Sequence, residues 1–395
     1  MWRFGFLSHE IAFGLLSVFL PLYIVSIGGS LLDVGVMTSA ALFLAIPASF
    51  FWGYICDKTK SYKRYILISF LSSSILLFLL AYVNSVNLII LLYVVMAIFH
   101  VAHEPPKNVL IVELYSREEW EKSFAFYEGI TEIGWLLGLI LGTFVSLFGL
   151  AARTTLLMCS GLNFLAFILS LLLVEDPILV FERGLVNIEK NVDFTYKGIL
   201  VASKVLEGFS VHKALKRENL AAFCCGLVLF SFATSTLFTP LPIFLSSNLG
   251  FSTSFVFTIY VLNSSAGAVG YFLASRKLGR EEEKRRLQRI VFFRGLLVLL
   301  LAVFVMLGLQ TAFLTASILA LMGFAYALYH IYVLSLSMEL IPAGKAGLFD
   351  VFVGLGGAAG AFIGPFFAQI FGFIPVFTIA CIFFFSAYLA FRIFS

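Results

Sequence analysis

The sequence predicts an all-α membrane protein: twelve transmembrane helices in two pseudo-symmetric six-helix bundles. Three observations predict it. The chain offers about a dozen apolar runs long enough to cross a bilayer, its basic residues fall on alternate loops, and its two halves echo each other. Of 395 residues 61% are hydrophobic and 12% are charged, against about 25% charged in soluble domains. That deficit, with a mean hydropathy of +1.04, excludes a soluble globular protein.

A spanning helix needs about 20 apolar residues, and the predicted spans are 4–27, 33–55, 65–83, 87–114, 122–148, 152–174, 219–246, 252–274, 288–308, 311–335, 346–371 and 373–392. The first is a retained helix, not a cleavable signal, because His9 and Glu10 interrupt its apolar run and no small-residue cleavage site follows. With the N-terminus inside the cell, the cytoplasmic loops hold Lys58, Lys60, Lys63, Arg64, Arg117, Lys122, the basic residues of 183–217 and 276–289, Lys345 and Arg392. The external loops hold Arg153 and almost nothing else. Lys/Arg excess on cytoplasmic loops sets helix orientation, so both termini are expected in the cytoplasm and the chain in the cell membrane. The same scatter excludes a nucleic-acid surface, since only a membrane brings these loops to one side. The five cysteines show neither metal-ligand spacing nor a disulfide framework.

The domains read as 1–174, a six-span bundle; 175–217, a polar cytoplasmic linker with surface helices; and 218–395, a second six-span bundle. Pro21-Leu-Tyr-Ile matches Pro240-Leu-Pro-Ile, and Gly53-Tyr matches Gly270-Tyr. Gly134, Gly138 and Gly142 match Gly356, Gly360 and Gly364, with Glu128 and Asp350 each fourteen residues before the last glycine. Parallel repeats of this kind place a substrate site between the halves at mid-membrane depth. Glycine at every fourth position gives the fifth and eleventh spans a smooth face for close approach.

The loop after the second span, Gly53-Tyr-Ile-Cys-Asp-Lys-Thr-Lys-Ser-Tyr-Lys-Arg64, resembles the loop signature of the major facilitator superfamily in Gly53, Asp57, Lys58, Lys63 and Arg64. Lys60 stands where that signature has its second glycine, and the echo Gly270 to Arg280 lacks the Asp. The resemblance implies a cytoplasmic gate in which this loop meets the start of the eleventh span. Asp57 would face that helix N-terminus, and Lys58 or Lys60 would pair with Asp350. Arg276 or Lys277 would pair with Glu128, and Glu113 and Arg64 would complete the clusters. The superfamily's drug-efflux signature, a Gly-Pro run in the fifth span, is missing, since Gly364-Pro365 lies in the eleventh; Lys107 is the only basic residue of the fourth span.

Ionisable groups inside a bilayer cost several kcal/mol and mark functional positions. His100, His103, Glu104 and Lys107 form one helical stripe on the fourth span. Pro105-Pro106 follows at once, and should break the helix and leave the carbonyls of Val101 and Ala102 without partners. Backbone of that kind occurs at membrane depth only inside protein or beside a wet cavity. The resemblance places the first, fourth, seventh and tenth spans around a central cavity. This adds Glu10, Tyr326 and His330, with Glu132 a turn deeper than Glu128. Glu10, Glu104 and Glu132 are the candidates for proton exchange; Asn263, Ser264, Tyr326, Tyr329 and His330 are the candidates for the substrate side. No His-Glu-x-x-His protease motif and no phosphate-binding Walker loop occurs. No metal, cofactor or enzymatic activity is expected.

The sequence therefore reads as a monomeric, proton-coupled secondary transporter of a small solute, working by alternating access. A multidrug or lipophilic-cation exporter of the same fold is one alternative, and a non-coupled lipid scramblase or membrane-embedded binding protein the other.

Overall fold

The computed structural model describes residues 2–114, 120–176, 219–274, 280–309, 311–340 and 347–394. The linker beyond residue 176 lies outside them. Every regular element among the described residues is helical. Eleven helices are long and apolar enough to cross a membrane; with Thr253–Ala274, which packs among them, they make the twelve spans.

Local chemistry explains where the helices start, stop and bend. The second span, Leu31–Thr59, begins at a capping box: Ser30 Oγ accepts from Asp33 N–H while the Asp33 carboxylate accepts from Ser30 N–H at 2.7 Å. It ends on Lys60, the one described non-glycine residue with positive φ (54°). This is the left-handed C-cap position that glycine occupies without strain, so the residue replacing the expected glycine carries a conformational cost. The fourth span is built from Val86–His100, a 3-10 turn at Val101–His103 and a second helix at Glu104–Leu114. The seventh runs over Leu220–Phe238 and continues past Pro240 and Pro242 as Leu241–Ile243 and a π turn at Phe244–Asn248.

The two halves repeat one packing plan. In the first, the first span (Arg3–Ser26) packs on the fifth (Trp120–Leu147) and sixth (Ala152–Leu173), the second packs on the fourth, and the third (Tyr62–Leu80) on the fourth and sixth. In the second, the seventh packs on the eleventh (Gly347–Phe371) and twelfth (Phe373–Phe394), the eighth (Thr253–Ala274) on the tenth (Ala312–Leu340), and the ninth (Arg280–Met306) on the tenth and twelfth. The glycine triads make the pairings within each half close. A Cβ at Gly138 would strike the Ile11 carbonyl; at Gly356, Gly360 and Gly364 it would strike the carbonyls of Val228, Phe232 and Thr236. Backbone lies on backbone, which suits a bilayer where helix association rests on packing.

The halves join through the second and eleventh spans and through the fifth and eighth. Several of these contacts lie at the end opposite the basic loop 57–64. Leu32 N–H donates to Gln369 Oε1 at 2.9 Å, Gly35 faces Pro365, and Gly142 faces the Phe257 ring.

Two outcomes follow for the full chain in detergent. Lys60→Gly removes a left-handed residue that costs about 1–2 kcal/mol and raises the thermal midpoint, whereas Lys60→Ala does not. Gly360→Val forces the seventh and eleventh spans apart and lowers the midpoint by several degrees, while Gly161→Ala, with open space around it, leaves it unchanged.

Candidate functional site

The site begins with the break in the fourth span. Proline at 105 and 106 removes two amide donors, and the helix tightens before them. Glu104 N–H donates to the Val101 carbonyl in place of the His100 carbonyl. Val101 therefore has a partner, contrary to the expectation from the sequence, because a 3-10 bond replaces the missing α-helical one. The carbonyl released is that of His100. It accepts Ser69 Oγ–H at 2.8 Å and His103 Nδ1–H at 2.6 Å. The helix tightens without unwinding, so Lys107 stays in the stripe and pairs closely with Glu104.

From this point a hydrogen-bonded chain crosses the first half. Asn163 Nδ2 donates to the Cys159 carbonyl at 2.9 Å, which turns Oδ1 toward His9. His9 Nδ1 then donates to Oδ1 at 2.6 Å. A neutral His9 so oriented accepts at Nε2, and His100 Nδ1–H donates to it at 3.0 Å. With His103 Nδ1–H committed to a carbonyl, its Nε2 faces Glu104 Oε1 at 3.2 Å. Phe6, Phe13 and Phe70 wall the three imidazoles, with Phe13 4.4 Å from His100 and Phe70 4.5 Å from His9 between ring centroids. The three imidazoles offer nitrogens within 4.8 Å of one another, a spacing a metal ion accepts. His9 and His103 nevertheless have both nitrogens engaged in the hydrogen bonds just described.

The chain is buried at His9 and His103 and opens at its other end. The Glu104 side chain is 41% exposed, and Glu128, 3.9 Å from Lys107, is 51% exposed. Lys107 itself is buried under the Tyr127 ring, 4.9 Å away. Glu10 packs on Gly134 of the fifth span and lies within electrostatic reach of Glu104, Lys107, Glu128 and Glu132. The expected residues Glu10, His100, His103, Glu104, Lys107 and Glu132 thus form one region of four carboxyls, counting Glu128, around one ammonium.

Across the gap, Tyr271 and Tyr326 of the second half lie within electrostatic reach of Glu132. Tyr326, 40% exposed, stacks on His330 with centroids 6.0 Å apart, and His330 Nδ1 lies 3.5 Å from the Tyr271 hydroxyl. Ser264 is half-buried on the eighth span. Asn263 and Tyr329 are placed differently from the sequence expectation. Asn263 Nδ2 donates to the Leu319 carbonyl at 2.5 Å, tying the eighth span to the tenth. Tyr329 is buried, stacked on Phe230 at 3.4 Å, behind the cavity wall.

Behind that wall lies Arg294, at the middle of the ninth span and 1% exposed. Its guanidinium stands 5.1–5.6 Å from the rings of Tyr326, Phe230, Phe384 and Phe238. Nη1 donates to the Met322 carbonyl at 3.3 Å and Nε has no partner. Each ring contributes up to about 2 kcal/mol when desolvated, against several kcal/mol for burying an unpaired ion.

The expected gate is described only in part. Asp57 and Arg64 are exposed, Glu113 is half-buried, and Lys58 Nζ lies 5.9 Å over the Tyr54 ring. A Cβ on Gly53 would have only Pro105 within 4 Å, at 3.9 Å, so the second span leaves room there beside the fourth. Arg276, Lys277 and the Asp350 side chain lie outside the described residues, while Glu128 is drawn toward Lys107. A separate groove at this end, lined by Ser61, Lys63, Arg64, Phe167 and Asp176, contains none of the intramembrane ionisable groups.

Sequence reasoning missed Ser69, Asn163 and Tyr271 and gave Arg294 no role. Their signal was polarity inside apolar runs; their partners are remote in sequence.

Comparison with known proteins agrees with this architecture. The sequence model described as Major Facilitator Superfamily matches residues 4–349. The quinolone resistance protein NorA of Staphylococcus aureus is 26% identical over 164 residues, a match spanning 42% of this chain and 42% of the relative. The crystal structure of the nucleoside transporter NupG superposes with a TM-score of 0.73 at 16% identity, covering 99% of this chain and 97% of that one. A bacterial homologue of the lysosomal transporter Spinster, in an inward-facing and occupied conformation, gives 0.68 at 13% identity, covering 99% and 94%.

Removing the Asn163 acceptor leaves a buried imidazole N–H unmatched, which costs about 1–3 kcal/mol. Asn163→Ala therefore lowers the thermal midpoint of the purified protein. The double variant His9→Phe/Asn163→Leu recovers only part of the loss, because the His100 Nδ1–H then lacks its His9 acceptor.

Proposed function

The chain belongs to the Major Facilitator Superfamily, and on that premise we propose that it is a proton-coupled secondary transporter of a small solute, seated in the cell membrane with both termini cytoplasmic. The observation that carries the coupling is the cluster of Glu104, Lys107 and Glu128 at the cavity, backed by His103 on the His100 carbonyl and by the Asn163–His9–His100 hydrogen bonds behind it. Its buried end fixes the tautomers, and its exposed end meets the cavity at two carboxyls. Four carboxyls around a single ammonium repel one another, so the cluster takes up and releases protons as a group. An anionic cluster attracts a cation or proton, and neutralising it removes that attraction.

Alternating access gives the cluster two sides to face. With the basic loops cytoplasmic, the contacts Leu32–Gln369, Gly35–Pro365 and Gly142–Phe257 close the outer side, and the halves are in an inward-facing arrangement. The outward-facing state requires the basic loop after the second span to meet the eleventh, with Asp57, Lys58 and Arg64 as its closing charges. Such exposed pairs contribute about 0–1 kcal/mol each, small enough for the gate to reopen in every cycle.

Solutes resembling those of NupG and NorA, a nucleoside or a quinolone, fit a cavity with carboxyls on one wall and Tyr271, Tyr326 and His330 on the other. The exporter reading shares this geometry and differs in the direction of net flux; the scramblase reading assigns the carboxyls no role.

The test uses proteoliposomes with an imposed pH difference, and radiolabelled uridine and norfloxacin as probes. The wild type accumulates a probe along the proton gradient. Glu104→Gln lowers that accumulation at least tenfold while probe binding persists, and Glu10→Gln and Glu132→Gln weaken it less. Full pH-driven accumulation in all three variants would overturn proton coupling through this cluster.

A further inference from the structure

The charged groups of the two halves differ in kind. The first half carries carboxyls around Lys107, whereas the middle of the ninth span in the second holds a buried guanidinium, Arg294, with no carboxylate partner among the described residues. Its surroundings are aromatic on four sides, and among the described residues its one hydrogen bond is from Nη1 to the Met322 carbonyl. Nε is buried and unmatched. Nε and Nη2 form the guanidinium edge that takes a carboxylate through two parallel hydrogen bonds.

Of the enclosing rings, Phe230 and Phe384 are buried and Phe238 is half-buried, while Tyr326 is 40% exposed and lies within electrostatic reach of Glu132. The Tyr326 ring therefore stands between Arg294 and the space where a solute would sit. Turning it about its χ1 bond uncovers the guanidinium on that side, and stacked His330 offers the displaced ring or the solute a flat surface.

We propose that Arg294 is the docking point for a carboxylate on the transported solute, that Tyr326 is the shutter over it, and that the solute is a planar aromatic acid. This rests on the transporter reading above and names its substrate class. An incoming carboxylate supplies the missing counterion, and its ring takes the place of Tyr326 beside His330. Within the cycle, the first half then handles the proton and the second the anion.

The experiment uses the full chain in lipid nanodiscs with two matched probes, 2-naphthoate and its neutral amide, 2-naphthamide. Binding is read by ligand-induced thermal shift over a concentration series. The wild type is expected to bind the acid at least tenfold more tightly than the amide. Arg294→Gln abolishes that preference and leaves amide binding unchanged. Arg294→Lys keeps the charge but loses the fork, and holds the preference at an intermediate value. If Arg294→Gln does not fold, the Arg294→Lys result decides. Tyr326→Ala, which removes the shutter, binds the acid at least as tightly as the wild type. Equal affinity of the wild type for both probes, no binding of either, or an undiminished preference in Arg294→Lys overturns the proposal. None of those results touches the Glu104 test, so failure here is separable from failure of proton coupling.

Discussion

A bilayer interior has no water to spare for an unmatched backbone group, and the candidate proton site is organised around how one such group is repaired. Two consecutive prolines in the fourth span would ordinarily leave carbonyls stranded. The backbone tightens by one residue, Val101 is satisfied by Glu104 N–H, and the stranded carbonyl becomes that of His100. Ser69 and His103 are recruited to it. The repair fixes the His103 tautomer, which fixes what its other nitrogen can do toward Glu104.

The fold was largely legible in the sequence because its strongest signals are physical quantities summed over many residues. Hydrocarbon thickness sets the span lengths, and the glycine triads mark close pairings. The stripe of His100, His103, Glu104 and Lys107 was legible for the same reason, since helical periodicity is a local property. What could not be read was anything that depends on two distant segments meeting. His9 and Asn163 are 154 positions apart, and Ser69 and His103 are 34 apart. Tyr329 lies three residues from Tyr326 on one helix, yet one faces the core and the other the cavity. Helical spacing in a span apolar all round does not say which face points inward. The strain at Lys60 was visible only as a departure from an expected glycine; its left-handed backbone gives that departure a cause.

The two halves share a skeleton and differ in their lining. Each span of the first half finds its counterpart's neighbours reproduced in the second, whereas the buried polar groups do not correspond. The first half gathers imidazoles and carboxyls in a connected network; the second surrounds one guanidinium with rings. Connected polar groups can exchange protons along hydrogen bonds, while an aromatic enclosure holds charge without offering a proton path. The asymmetry of chemistry on a symmetric frame gives opposite walls of one cavity different competences.

The glycine triads of the fifth and eleventh spans have a consequence for how such a protein changes over generations. At Gly138, Gly356, Gly360 and Gly364 the contacts run from backbone to backbone, with the carbonyls of Ile11, Val228, Phe232 and Thr236 as partners. A joint made of main chain is indifferent to the identity of side chains on the other faces of the same helices. Mutation can therefore rewrite the cavity wall residue by residue without disturbing the bearing on which each bundle is assembled. An architecture of this kind permits drift in cargo while its mechanics stay fixed, and it explains how chains with few identical residues keep one shape.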